Sequence, residues 1–494
     1  GPNSEYNHAR NGAVLPLATW HPTATVRMTG TTTTTSGNTN QNFGNFIFQS
    51  PAQTVNMSFL PLSIAGDLII DNGTSTGQIR QTRNAFTVNG NFLFINGRYA
   101  IGNGTSSNRS ITVLGNATVE AGILSMSISS NAVGTLNIAG DFTHSGGTIT
   151  ETSSGSGRII FNGDSSNPQT YTSGGTVTNV INYIVSTGAF VQSADSNTAF
   201  LGGGTFTLQT GAALGIKSPQ GITTTGATGL VRVTGARSYN TGADYIYNGN
   251  SNQSTGDGLP ATVNNLTIDN EGTLGNQNVT IFQNTSITSN LSVFQGGLDL
   301  GIFSASRGVV GGVLTVADGA YLGIGGSNSL PANYASHVIG CNSTIEYYGT
   351  DQTVANINSP SAYGKLLLSG TGIKSFQVGT NTICSDFEIL GTATGTAAEG
   401  ISFNGNVQIG VGATLTGGGF THQVTGNWNV EGVFVPENGQ VIFDENATVN
   451  ISGGVFNNLT LSGPGLKTIN GNIEINGNFL VEGLVDISSP STVT

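Results

Sequence analysis

The stretch LSIAGDLII, residues 62–70, is restated along the chain as FTVNGNFLF at 86–94, ITVLGNATV at 111–119 and LNIAGDFTH at 136–144. The central glycines, Gly66, Gly90, Gly115 and Gly140, stand 24, 25 and 25 residues apart. Aligned on them, apolar residues fill every second column. Two places before the glycine stand Ile64, Val88, Val113 and Ile138; four before, Leu62, Phe86, Ile111 and Leu136; two after, Leu68, Phe92, Ala117 and Phe142. Alternation with period two marks a strand with one buried face. Helical periodicity is absent, and the abundant Gly and Asn disfavour helices.

A strand phrase recurring about every 24 residues describes one coil of a solenoid per repeat, with equivalent columns stacked at the spacing of paired strands. Successive rungs run the same way, so the sheets are parallel. The expected fold is all-β, a right-handed parallel β-helix of roughly 20 coils with about 24 residues in each. Asp67, Asn91, Asn116 and Asp141, each directly after its glycine, are then expected in one column on consecutive coils.

The phrase returns as ISFNGNVQI at 401–409, HQVTGNWNV at 422–430 and IEINGNFLV at 473–481. A longer unit is superimposed on it. RIIFNGDSSNPQTY, YIYNGNSNQST, IEYYGTDQTV and QVIFDENATV place Phe161, Tyr247, Tyr348 and Phe443 at intervals of 86, 101 and 95 residues. NNLTIDNEGTLG, GKLLLSGTGIKSF and NNLTLSGPGLKTI follow the last three of these. The super-repeat is about four coils, which favours one continuous helix over residues 46–494. Residues 1–45, with Trp20 and the run TGTTTTTSGNTN, are expected to form an N-terminal cap or lead-in segment. The terminal GNFLVEGLVDISSPSTVT begins another coil through Phe479, Val481, Leu484 and Val485, so the helix is expected to continue in a longer protein.

Composition narrows the partners. Only 8% of the 494 residues are charged and the net charge is −12. Fourteen scattered Lys and Arg make no basic stripe, which argues against nucleic acid. No apolar run approaches the roughly 18 residues that span a bilayer. Cys341 and Cys384 are the only two cysteines and lack metal-site spacing; they read as unrelated small residues rather than a bridge.

With these motifs in hand, the chain resembles the Gly/Asn/Thr-rich β-helical surface proteins that Bacteroidota export through the type IX secretion system. The likeness is carried by YNHARNGAVLPLATW, GNTNQNFGNFIF, the IEYYGTDQTV and GKLLLSGTGIKSF unit, and NGNFLVEGLVDI. The resemblance implies an extracellular, cell-surface location, attachment through secretion machinery, and an adhesin role with no catalytic residue to carry over.

The rival is a polysaccharide-degrading β-helix, a lyase or glycoside hydrolase, which needs paired carboxylates or acids with a nearby base. Asp386 and Glu388 share a strand face; Asp444–Glu445 and Asp269/Glu271 sit in turn-like sequence, and no base adjoins them in the chain. No cluster of three acidic side chains with a basic partner is expected on any one sheet face. Asp257 is a lone turn acid, and His144 ends its strand with no second metal ligand evident. Tyr245, Tyr247, Tyr347 and Tyr348 are candidate stacking platforms for sugar rings, although alternation turns half of them inward. The sequence thus assigns no catalytic, cofactor-binding or metal-binding residue and no cofactor. The expected partners are a glycan or other surface ligand and further copies of the chain.

Overall fold

The computed structural model describes residues 1–102, 107–129, 131–152, 155–357, 362–488 and 490–494. Among them there are strands and turns and no helix. The chain is a parallel β-solenoid of about 20 turns with about 23 residues per turn. It forms two compact units, one of residues 1–249 with 255–260, the other of residues 250–254 with 261–494.

In the first unit, successive coils lay their strands side by side in three sheets. One sheet runs from Glu5–His8 through Leu68–Asp71, Phe92–Asn96, Ala117–Val119 and Phe142–His144 to Asp244–Tyr247. A second runs from Asn42–Phe43 to Arg237–Ser238, and a third from Met57–Phe59 to Thr176–Val177. The register follows the repeat: Leu68 pairs with Phe92, Phe92 with Ala117, and Ala117 with Phe142. These four, with Ile64, Val88, Val113 and Ile138, have no accessible surface. Phe86, Ile111 and Leu136 are buried too, but Leu62 is 46% exposed. The strand in that coil is only Ser63–Ile64, so Leu62 lies before the pleat that would turn it inward.

The residue after each glycine builds a hydrogen-bonded column. The Asp67 N–H donates to Asn45 Oδ1 (2.8 Å), Asn91 N–H to Asp67 Oδ1 (2.7 Å), Asn116 N–H to Asn91 Oδ1 (2.9 Å) and Asp141 N–H to Asn116 Oδ1 (2.8 Å). Glycine precedes each because a Cβ at Gly115 would stand 2.7 Å from Asn91 Oδ1 and 2.6 Å from the Gly90 carbonyl oxygen. Replacing Asn116 with alanine removes one acceptor at a solvated rim. It is expected to cost about 1 kcal/mol in denaturant unfolding, with Asn116→Asp near neutral because the acceptor survives.

The first 45 residues are wound into the solenoid. Glu5–His8 pairs in parallel with Thr25–Met28, which pairs with Asn45–Phe48. The Thr-rich run is a turn gathered by one side chain: Asn11 Oδ1 accepts the N–H groups of Thr32, Thr33 and Thr34.

In the second unit the largest ladder runs from Gln253–Ser254 through Gly297–Asp299, Tyr321–Ile324, Thr344–Tyr347, Lys365–Leu368 and Phe387–Ile389 to Val485–Ile487. Its coils are shorter, because Thr344 pairs with Lys365 and Leu366 with Phe387. The amide column recurs: Asn406 N–H donates to Asp386 Oδ1, Asn427 N–H to Asn406 Oδ1 and Asn450 N–H to Asn427 Oδ1. Cys341 and Cys384, expected to be unrelated, are disulfide-bonded with Cα atoms 5.3 Å apart. At coil lengths of 21 residues a separation of 43 is two coils, which brings the two turns into one stack. Phe479–Val481 and Val485–Ile487 are the strands expected from the terminal sequence; Phe479, Leu480, Val481 and Ile487 are exposed on them, as is Leu484 between them.

Buried polar side chains tie the corners. In the NPQTY and TDQTV motifs, Gln169 Nε2 donates to the carbonyls of Ile138 and Gly140, and Gln352 Nε2 to those of Ile324 and Asn328. Their Oε1 atoms accept from Gly163 N–H and Gly349 N–H. Lys374, with no accessible surface, donates through Nζ to the carbonyls of Gly349 (2.8 Å), Thr350 (2.5 Å) and Thr371 (3.1 Å) and to Gln352 Oε1 (2.8 Å). Lys467 sits in the same place of the next super-repeat, on the carbonyls of Glu445 and Gly465.

Candidate functional site

The acids singled out from sequence are distributed over separate structural tasks. Asp386 belongs to the amide column. Glu388 pairs with Lys365 at 2.6 Å, both side chains about three-tenths exposed, an arrangement that contributes little to stability. Glu445 accepts the N–H of Asn446. The fold supplies the base that the linear sequence lacked beside Asp444 and Glu445, since buried Lys467 lies within reach of both charges. Asp257 accepts from the Thr224 N–H and hydroxyl, which hold its carboxyl below the ordinary range. Burial pushes the Asp269 carboxyl up, and the nearby Glu271 charge adds to the effect.

His144 lies in register between Val119 and Ser173 without accessible surface, and burial lowers its pKa. His422 is buried with Nδ1 accepting from Ile401 N–H and Nε2 against the Gly417 carbonyl, which fixes the neutral Nε2–H tautomer. Among the described residues no group of three His, Cys, Asp or Glu side chains is placed to hold a metal ion.

The tyrosines divide as alternation demands. Tyr245, Tyr247 and Tyr347 are core residues without accessible surface; the Tyr347 and Tyr363 hydroxyls meet at 2.8 Å. Tyr348 lies outside, half-buried on the outer face of the ladder, and Tyr321 joins it there. Tyr321 lies in YLGIG, outside the recurrent motifs, and the sequence signal that marks it is an aromatic followed by glycine at every second position.

On that face Asp299, Gly323, Glu346, Leu367 and Glu388 form one register column. Three carboxylates therefore share a sheet face with Lys365, on alternate rungs of the column rather than as one cluster. The reason is the change of coil length, which brings acids from distant turns of sequence into line. The tyrosines cross this column in opposite directions. Tyr321 donates its hydroxyl to Glu346 Oε2 at 2.7 Å, and Tyr348 donates to Asp299 Oδ1 at 2.5 Å. The Ser369 hydroxyl donates to the second Glu346 oxygen at 2.5 Å. Burial first, and then the neighbouring carboxylates, push both phenols far above their ordinary pKa, so they remain donors.

The rings lie down because the sheet beneath them has no side chains. A Cβ at Gly323 would stand 2.9 Å from Tyr321 Cε1, one at Gly297 would stand 2.9 Å from Tyr321 Cδ1, and one at Gly325 would stand 2.7 Å from Tyr348 Cε2. Two flat aromatic plates are thus floored by glycine and pinned at their hydroxyls by carboxylates. Compared with known protein families, curated proteins and solved structures, the chain has no match.

Proposed function

We propose that this chain is a non-catalytic structural and adhesive solenoid exposed at a bacterial cell surface, carried there as cargo of a secretion system. The observation that carries the reading is the Cys341–Cys384 disulfide, because such bonds persist in oxidising, extracellular compartments and are rare in a reducing cytosol. The surface adds support: with 8% charged residues it is polar through Thr, Ser and Asn, suited to weak, repeated contacts along a periodic face. The resemblance to exported Bacteroidota surface proteins points the same way.

An antibody against the folded chain, applied to intact source cells, is expected to label the surface, with the label removed by brief external protease. Labelling only after lysis would overturn the location.

A second reading, cleavage of a polysaccharide, is favoured by one observation, the column of Asp299, Glu346 and Glu388 beside Lys365. Incubation of the purified chain with a panel of polysaccharides is expected to release neither unsaturated sugars nor new reducing ends. Release abolished by Glu346→Gln would replace the non-catalytic reading with this one.

A further inference from the structure

We infer that Tyr321 and Tyr348 form a stacking platform for a neutral β-linked glucan on the outer sheet face of the second unit. The inference rests on the adhesive reading and names the ligand class that such a surface would hold.

An aromatic plate serves a sugar only when one face is open, the other supported, and the ring held still. The support is Gly297, Gly323 and Gly325, whose missing side chains leave the backbone as a floor. Stillness comes from the two hydroxyl anchors, on Glu346 and Asp299, so little rotamer freedom remains to be lost on binding. Gly323 and Gly325 are two residues apart on one strand, about 7 Å. The two plates therefore follow one another along the strand on the scale of successive residues in an extended glycan.

The chemistry of the rim selects among glycans. Asp299 and Glu346 border the plates with acceptors for sugar hydroxyls, whereas an acidic polysaccharide would bring its own carboxylates or sulfates against them. A flat aromatic face matches a pyranose whose hydroxyls are all equatorial, since both of its faces then present axial C–H bonds. Together these features specify a β-linked glucan and reject a uronate polymer. The pinned hydroxyls also explain why two aromatic rings can remain partly exposed on an otherwise Thr- and Asn-covered sheet without collapsing into the core.

The test uses native affinity electrophoresis of the full chain through gels containing hydroxyethylcellulose, with polygalacturonate gels as the acidic control. Retardation by the glucan and none by the uronate polymer is expected. The double variant Tyr321→Ala/Tyr348→Ala should weaken retardation at least tenfold. Tyr321→Phe, which keeps the ring and loses its anchor, should weaken it a few-fold. Unchanged melting of each variant establishes that the solenoid is intact, and Gly323→Val, which lifts the Tyr321 ring from outside the binding face, should reproduce the loss. Retardation of the folded double variant equal to wild type, no retardation of the wild type, or stronger retardation by polygalacturonate would each overturn the platform. None of those results bears on surface labelling of intact cells, so the platform and the adhesive reading fail separately.

Discussion

Replacing Cys341 or Cys384 with serine is expected to lower the stability of the second unit by about 4 kcal/mol, the chain-entropy value for a closed loop of this size. The bond closes 43 residues, two full coils, so its loss frees the unfolded chain by about 0.6 kcal/mol more than a bond spanning one coil would. Both sulfurs belong to residues 261–494, so unfolding of that unit should respond while the first unit keeps its transition. Guanidinium unfolding with and without dithiothreitol measures this: the reduced wild type and the serine variants should share one lowered midpoint. A midpoint shift corresponding to less than about 1 kcal/mol would show that the coils hold their register without the bond.

Lys374→Met should cost about 3 kcal/mol at neutral pH, because it strands the carbonyls of Thr350 and Thr371 and takes from the Gln352 amide oxygen one of its two donors. The cage and the burial act in opposite directions on the charge. Burial pushes the Lys374 pKa down to about 8, with Asp351 pulling weakly upward. A lysine whose folded pKa is lowered binds its proton less well in the native state than in the unfolded chain. Stability therefore rises with pH between about 8 and the unfolded value near 10.5, and is flat below 8 where both states are protonated. The wild type should gain on Lys374→Met across that window, by at most 1.36 kcal/mol per pH unit. Parallel curves for the two proteins would show that the amine keeps its proton throughout.

The fold was legible because a solenoid writes its geometry as a period. Leu68, Phe92, Ala117 and Phe142 sit one coil apart in sequence and side by side in space, so alignment on Gly66 and its counterparts recovered the ladder directly. The disulfide escaped for a related reason. A 24- to 25-residue period makes the 43-residue interval between Cys341 and Cys384 a non-integral number of coils, and only the shorter, 21-residue coils of this region make it two. The Asp299–Glu346–Glu388 column escaped likewise, since small changes of coil length decide which distant acids coincide. Lys374 and Lys467 carried a usable signal, the lysine repeated in GTGIKSF and GPGLKTI of a lysine-poor chain. Charge patterning points such residues to solvent, and only the carbonyl cage reverses that assignment. Tyr348 was singled out as a platform, but its partner and its glycine floor come from a neighbouring coil that no local pattern joins to it.

The amide column has a direction. In every step from Asn45 to Asp141 the later coil donates its backbone N–H to a side-chain oxygen that the earlier coil already presents. A chain delivered with its N-terminus leading therefore meets a prepared acceptor at each new turn, whereas a chain delivered from the other end meets only unfilled donors. Each completed coil also resists being drawn back, because retreat breaks the newest rung first. The column thus gives coil-by-coil assembly a polarity, each new rung being templated by the one before it.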